Sequence, residues 1–219
     1  MLRHMNIPPR PEGLSLIDGF SSYAQRFMSD EIPISAIKCR SEQCDGADFY
    51  KIDARMSIFE NCTFHNCCFE DATFIDVVFQ SCDLSNSKFT GAYFERCHFT
   101  QCKCIGVNMR DSVINHTAFQ QSNFQYAHFD KTRIADVLFD HIDFTEASLV
   151  EAKLMRFETT GSRFIKNNFY KTMLAGMDFT TGEFVAPTVS SPPVELKGVI
   201  LDSFQAADLM RLWGVVVKR

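Results

Sequence analysis

The stretch "CTFHNCCFEDATFIDVVF", Cys62 to Phe79, places a phenylalanine at every fifth position: Phe64, Phe69, Phe74 and Phe79. A helix returns an apolar residue to one face every three or four positions and a strand every second, so a period of five fits neither template. The register holds from Phe49 to Phe184, with Ala54, Leu84, Cys104, Met109, Ile114, Ile134, Leu149, Leu154, Thr159 and Leu174 filling the same slot where phenylalanine is absent. Two residues before each of these sits a mostly small residue, among them Cys62, Cys67, Ala72, Cys82, Ser87, Ala92, Cys97, Cys102 and Ser112. Two inward positions in five require a short extended segment to bend before its alternation continues, because an unbent strand would point the next large residue outward. The chain therefore turns a corner once per unit.

Composition bounds what such a chain can be. The 219 residues are 46% hydrophobic and 22% charged, enough for one sizeable core. A net charge of -5 disfavours direct contact with nucleic acid or an anionic membrane and favours a basic partner. The opening "MLRHMNIPPRPEGL" has no apolar signal core and no later run approaches a membrane span, so a cytoplasmic location is expected. The nine cysteines are odd in number and lack paired C-x-x-C knuckles, which points to reduced thiols.

The units "CTFHN", "ATFID", "CDLSN" and "AYFER" resemble the pentapeptide-repeat family, whose unit is small–polar–Leu/Phe–polar–polar, and the match runs from about Ala47 to Ala186. The resemblance implies an all-β fold, a right-handed quadrilateral parallel β-helix with four units per coil. Residues one coil apart then stack at the spacing of paired strands. One column reads Phe59, Phe79, Phe99, Phe119, Phe139, Thr159, Phe179, so the phenylalanines are structural. In "IDARM" and "FETTG" the large residue moves to the small position, Ile52 and Phe157, while Ala54 and Thr159 shrink, which conserves layer volume. Asn167, at an inward position, is expected to bond to backbone at a corner.

The ends depart from the period, as a stack with exposed terminal coils requires. Residues 1–31 read as an extended arm, "PPRPEGL", and a weakly amphipathic cap; residues 32–186 as the β-helix, irregular at first through "IPISAIKC"; residues 187–219 as a final coil, a helix and an apolar tail. "PTVSSPP" breaks the register, which resumes, shifted, at Leu196 and Leu201. Ser203 is a candidate N-cap and Gly214 a stop.

The ending "LKGVILDSFQAADLMRLWGVVV" is similar to the C-terminus of Qnr-type quinolone-resistance pentapeptide proteins. That resemblance implies a homodimer, with Phe204, Leu209, Leu212, Trp213, Val215 and Val217 at the interface. It further implies a rod that mimics duplex DNA, binds DNA gyrase or topoisomerase IV and protects it from quinolones or toxins. The unbroken register leaves no room for projecting loops, so loopless, Gram-positive-like members are the nearer comparison. The face carrying Phe59 bears Glu60, Asp140, Glu158 and Asp178, together with Gln80, Gln101, Gln120 and Gln121, and has no Lys or Arg between residues 57 and 181. It is the expected partner-binding stripe. A scaffold for another protein partner remains the alternative. No catalytic, metal or cofactor site is assigned. The cysteines sit at small packing positions, and His65, His98, His116, His128 and His141 stand at outward positions in different coils without a triad or H-E-x-x-H pattern.

Overall fold

The computed structural model describes residues 7–218. The bend expected once per unit is made by its last residue, which enters the left-handed region: Asn61 (φ 56°), Asn66 (57°), Asp71 (55°), Asp76 (57°), Ser81 (53°) and Asn86 (58°) in successive units. Asn, Asp and Gly reach this region at little cost, which explains their frequency there. Gly91 (φ 70°) also meets a spatial demand, because a Cβ at this position would collide with the Asp71 carboxylate.

Four such corners close a coil, and each coil pairs in parallel with the next at a spacing of twenty residues. Asp53–Glu60 pairs with Thr73–Gln80, placing Phe59 beside Phe79, and Arg133–Asp140 pairs with Lys153–Thr160. The inward rings stack as expected: centroids lie 5.3 Å apart for Phe59–Phe79, 4.8 Å for Phe79–Phe99, 4.8 Å for Phe99–Phe119 and 5.0 Å for Phe119–Phe139. The small inward position has a second duty. Its thiol or hydroxyl donates to a carbonyl of the preceding coil: Cys82 to Phe59 and Cys102 to Phe79, both at 3.3 Å, and Ser162 to Phe139 at 3.2 Å. Asn167 follows the same rule, with Nδ2 donating to the carbonyls of Phe144 (2.5 Å) and Ala147 (3.2 Å). Phe157 packs on Phe139 at 4.9 Å, filling the space beside Thr159.

Both ends of the periodic region differ from the sequence reading. The coil register begins before Phe49: Ile34 pairs with Ala54 and Cys39 with Phe59, so Ile34, Cys39 and Cys44 continue the slot downward. Smaller side chains hide the period there because the cap fills the space. Ser15–Ile17 adds a parallel strand to Ile37–Arg40, and helix α1 (Phe20–Ser29) inserts Phe20 among Phe49, Phe59 and Phe64 at 5.0–5.9 Å. The Glu42 carboxylate accepts from the amides of Gly19 (2.8 Å) and Phe20 (3.0 Å), fixing the start of α1.

At the other end Thr188 still pairs with Asn168 in the twenty-residue register, so the break falls after "PTV". Ile200 then pairs with Asp178, a spacing two residues longer, and a 3-10 turn at Val194–Leu196 absorbs the difference. Buried Glu195 holds this turn by accepting from the amides of Lys171 (2.8 Å) and Ser190 (3.1 Å). The N-cap of helix α2 (Ser203–Leu212) is Asp202, one residue before the expected Ser203. Its carboxylate accepts from the amides of Phe204 and Gln205, both at 2.8 Å. The Gln205 side-chain oxygen accepts from the Asp202 amide, and its Nε2 donates to the carbonyls of Phe179 (2.8 Å) and Gly182 (3.0 Å), sealing the last coil.

Candidate functional site

Outward side chains twenty residues apart also stack, so the surface is ruled by ladders of ion pairs. Arg96 meets Asp76 at 2.7 Å, Lys103 meets Asp83 at 3.0 Å, Arg156 meets Asp136 at 2.5 Å, and Arg163 joins Asp143 (3.1 Å) to Glu183 (3.2 Å). Paired signs at this distance nearly cancel beyond a Debye length. The Phe59 face is built differently. Its outward column runs Glu60, Gln80, Thr100, Gln120, Asp140, Thr160 in register. Amides replace cations along it: Gln120 donates to Asp140 at 3.0 Å and takes a 2.8 Å contact from His98. Asp140 has His141 at 2.6 Å, and Asp178, exposed, accepts from the Thr180 amide and hydroxyl. Glu158 lies half-buried on the same face.

Glu60 is held by two cations. Lys38 (3.1 Å) and Arg40 (2.6 Å), which belong to the coil below, pair with it, and the Lys38 ammonium, helped by Arg40, holds its carboxyl below the usual range. It is therefore neutralised. The sequence sorting missed this because it began at residue 47, above the two cations.

A second feature of this face was not anticipated. Ile58, Val78, His98 and Ala118 occupy outward positions of successive coils, yet they are 4%, 2%, 8% and 1% exposed, whereas outward residues at the equivalent position of the other faces are half-buried or open. The N-terminal arm lies against this face. Pro8 is buried, Ile7 and Pro9 reach the corner formed by Glu95, Arg96 and His116, and Arg10 donates to Gln80 at 2.7 Å and approaches Glu60 at 3.9 Å. Burial, with the Arg10 charge in addition, pushes the His98 pKa down against the raising effect of Gln120.

The far end of the rod is apolar. An open groove of about 630 Å³ is lined by Leu196, Val199, Leu201, Ala206, Met210 and Trp213. Beside it Phe204 is 66% exposed, Leu212 48%, Trp213 40%, Val215 47% and Val216 85%, while Val217 is half-buried. Leu209 lines the floor of the same groove, and at 5% exposure most of its side chain packs into the core of its own chain.

Two family models match this chain, one described as a pentapeptide repeat region over residues 92–186 and one as nine copies of pentapeptide repeats over residues 45–113. The chain belongs to the pentapeptide-repeat family. No curated protein sequence matches it. Among solved structures it is similar to one form of QnrB1, a plasmid-mediated fluoroquinolone resistance protein, with 23% identity over 84% of this chain and 90% of that one and a TM-score of 0.51. It is also similar to HetL, a pentapeptide-repeat protein involved in heterocyst differentiation regulation from the cyanobacterium Nostoc, with 14% identity over 82% and 95% of the two chains and a TM-score of 0.39.

As in a pentapeptide-repeat protein, the cysteines serve the coils. Burial pushes the Cys67 and Cys97 thiols up to about 12, which leaves them protonated and unreactive at neutral pH. Among the described residues no group of three His, Cys, Asp or Glu could hold a metal ion, and no helix is long and apolar enough to cross a membrane. His65 and His141 face Asp45 (3.0 Å) and Asp140 on the open surface, and His128 lies near Arg110 at 3.0 Å; these histidines are scattered over the coils.

Proposed function

We propose that this pentapeptide-repeat chain is a homodimeric, DNA-mimicking rod that acts in the cytoplasm by binding a type II topoisomerase, DNA gyrase or topoisomerase IV, and shielding it from quinolones or toxins. The observation that carries the reading is the contrast between faces: ion-pair ladders cancel the charge elsewhere, while the Phe59 face holds Asp140 and Asp178 with no Lys or Arg between residues 57 and 181. Such a face attracts a basic, DNA-binding saddle without taking up nucleic acid itself. The apolar C-terminal end supplies the surface for a two-fold contact that doubles the rod, and the likeness to QnrB1, a fluoroquinolone resistance protein, supports the same assignment.

The long uncharged run of Gln80, Thr100 and Gln120 favours a second reading, a scaffold that binds a different protein through polar contacts. A pull-down with purified gyrase, combined with supercoiling and quinolone-induced cleavage assays, separates the two. Binding with protection supports the topoisomerase reading. Unchanged supercoiling and cleavage at saturating protein would leave the scaffold.

A further inference from the structure

We propose that Ile7–Arg10 is an intramolecular strap that docks on the outward strip Ile58–Val78–His98–Ala118 and must lift before a partner can occupy the Phe59 face. The inference deepens the proposed function, and it rests on that reading only for the identity of the partner.

The strip is built to be covered. A β-helix wall needs only its inward side chains to be apolar, and on the other faces the position equivalent to Ile58 is polar or charged in most coils, as at Asp53, Thr73, Asp83, Lys103 and Asn123. Here it is filled by Ile, Val, His and Ala in succession, and burial fades at Leu138 and Glu158. The occupant is the chain's own segment, seated with Pro8 buried.

The mode of attachment makes the segment removable. Among the described residues no backbone hydrogen bond joins Ile7–Leu14 to the coils; the first is Ser15 donating to Ala36 at 2.9 Å. Pro8, Pro9 and Pro11 have no amide hydrogen to add to a ladder. Attachment of Ile7–Arg10 is therefore made by side chains: the buried Pro8 ring, Ile7 and Pro9 at the Glu95–His116 corner, and the Arg10 contacts. Gly13, in the left-handed region at φ 67° with open space around it, supplies the hinge where the arm leaves the β-helix.

Arg10 also occupies the place of a partner's cation. It bonds Gln80 and approaches Glu60 on the face that the proposed function assigns to a basic protein surface. Docked strap and bound partner then overlap at the Gln80 end of this face, and the strap sets an energetic threshold that only a well-matched partner overcomes.

The test reads access to the strip directly. Val78→Cys places a thiol beneath the strap, and Gln101→Cys places one on the same face in an exposed position; of the native cysteines only Cys68 is even half-buried. Alkylation by N-ethylmaleimide, followed by intact and peptide mass spectrometry, should modify Val78→Cys at least ten times more slowly than Gln101→Cys. Adding Pro8→Gly and Arg10→Ala should raise the Val78→Cys rate about tenfold and leave Gln101→Cys unchanged, with the circular dichroism of both proteins intact. Equal rates at the two sites with the native arm, or no acceleration by the arm substitutions, would overturn the strap. Association of gyrase is measured in parallel. If gyrase binds, the arm substitutions should speed its association several-fold, and unchanged kinetics would remove the gating role. If gyrase does not bind at all, the topoisomerase reading fails, while the alkylation rates still decide whether the strap covers the strip.

Discussion

Phe119 sits where the architecture concentrates its stability, and Phe119→Ala tests the register most directly. The ring is 0% exposed, stacked between Phe99 at 4.8 Å and Phe139 at 5.0 Å, and met edge-on by Phe124 at 5.3 Å. Truncating a buried phenylalanine costs about 3–5 kcal/mol through lost transfer energy and the cavity left behind. Each aromatic pair adds roughly 0.5–1.5 kcal/mol beyond its area, and three pairs are lost together. The coils above and below cannot collapse into the void, because their separation is fixed by backbone pairing of His98–Thr100, Ala118–Gln120 and Arg133–Asp140. The loss should therefore lie at the upper end, about 5 kcal/mol. Because a solenoid's stability is a sum over neighbouring repeats, the transition should also broaden as the two halves uncouple. Urea unfolding followed by circular dichroism measures both effects. Gln101→Ala, exposed and held only by 3.5 Å contacts, should change stability by less than about 0.5 kcal/mol. A Phe119→Ala cost under about 2 kcal/mol, or one equal to that of Gln101→Ala, would refute the stacked core.

Three further outcomes are expected. Leu212→Asp with Trp213→Asp should convert a dimer to a monomer in light scattering without loss of fold, whereas Leu209→Ala should chiefly lower stability, by about 2–4 kcal/mol, since Leu209 is buried in its own chain. Asp140→Lys with Asp178→Lys should slow association with gyrase and flatten its salt dependence more than Glu70→Lys with Asp111→Lys, a pair of equal charge change on another face; equal slowing would remove the face-specific argument. Docking of the arm should weaken as pH falls. Burial depresses the His98 pKa, so the docked state is fully favoured above the free imidazole value of about 6.5 and loses ground as pH drops through the lower docked value. The groups that face His98 or the arm are Arg10, Gln120, Glu60 with Lys38 and Arg40, and Glu95, Arg96 and His116 at the corner. Histidine and arm resonances followed by NMR between pH 8 and 5 check this, and His98→Gln should flatten the response; arm signals that do not move below pH 6.5 would contradict it.

The fold was legible because its cause is local and repeated. One large and one small inward residue per five fix where the chain bends, and the coil length of the family then fixes every neighbour, so Phe59 beside Phe79 and Phe139 beside Thr159 follow from arithmetic. Asn167 was legible for the same reason: a polar group at an inward slot meets the carbonyls of Phe144 and Ala147. The ends were less legible. Asp202 and Ser203 are both good caps, and the capping-box spacing from Asp202 to Gln205, whose side chain also meets the Phe179 and Gly182 carbonyls, selects between them. Leu209 and Leu212 stand on one helix with the same chemistry, and which of them faces the last coil depends on the angle at which α2 leaves it.

The candidate face shows where periodic reasoning loses information and how it could be recovered. Sorting outward residues by charge alone collects Glu60, Asp140, Glu158 and Asp178 and takes no account of Ile58, Val78 and Ala118. Isolated apolar side chains on a surface are indeed unremarked. In a coil of twenty residues, however, these three and His98 form one continuous column, and a continuous apolar column on an outer wall exposes a patch that a stable protein covers. The arm motif "PPRP" stands outside the period, carries one cation, and cannot join a ladder, which are the properties a cover for that column requires. The signal for the strap was therefore present in the sequence as a correspondence between two segments that the repeat does not connect. Reading outward columns for hydrophobicity as well as charge, coil by coil, would expose the same correspondence in other solenoids whose terminal segments fall outside the repeat.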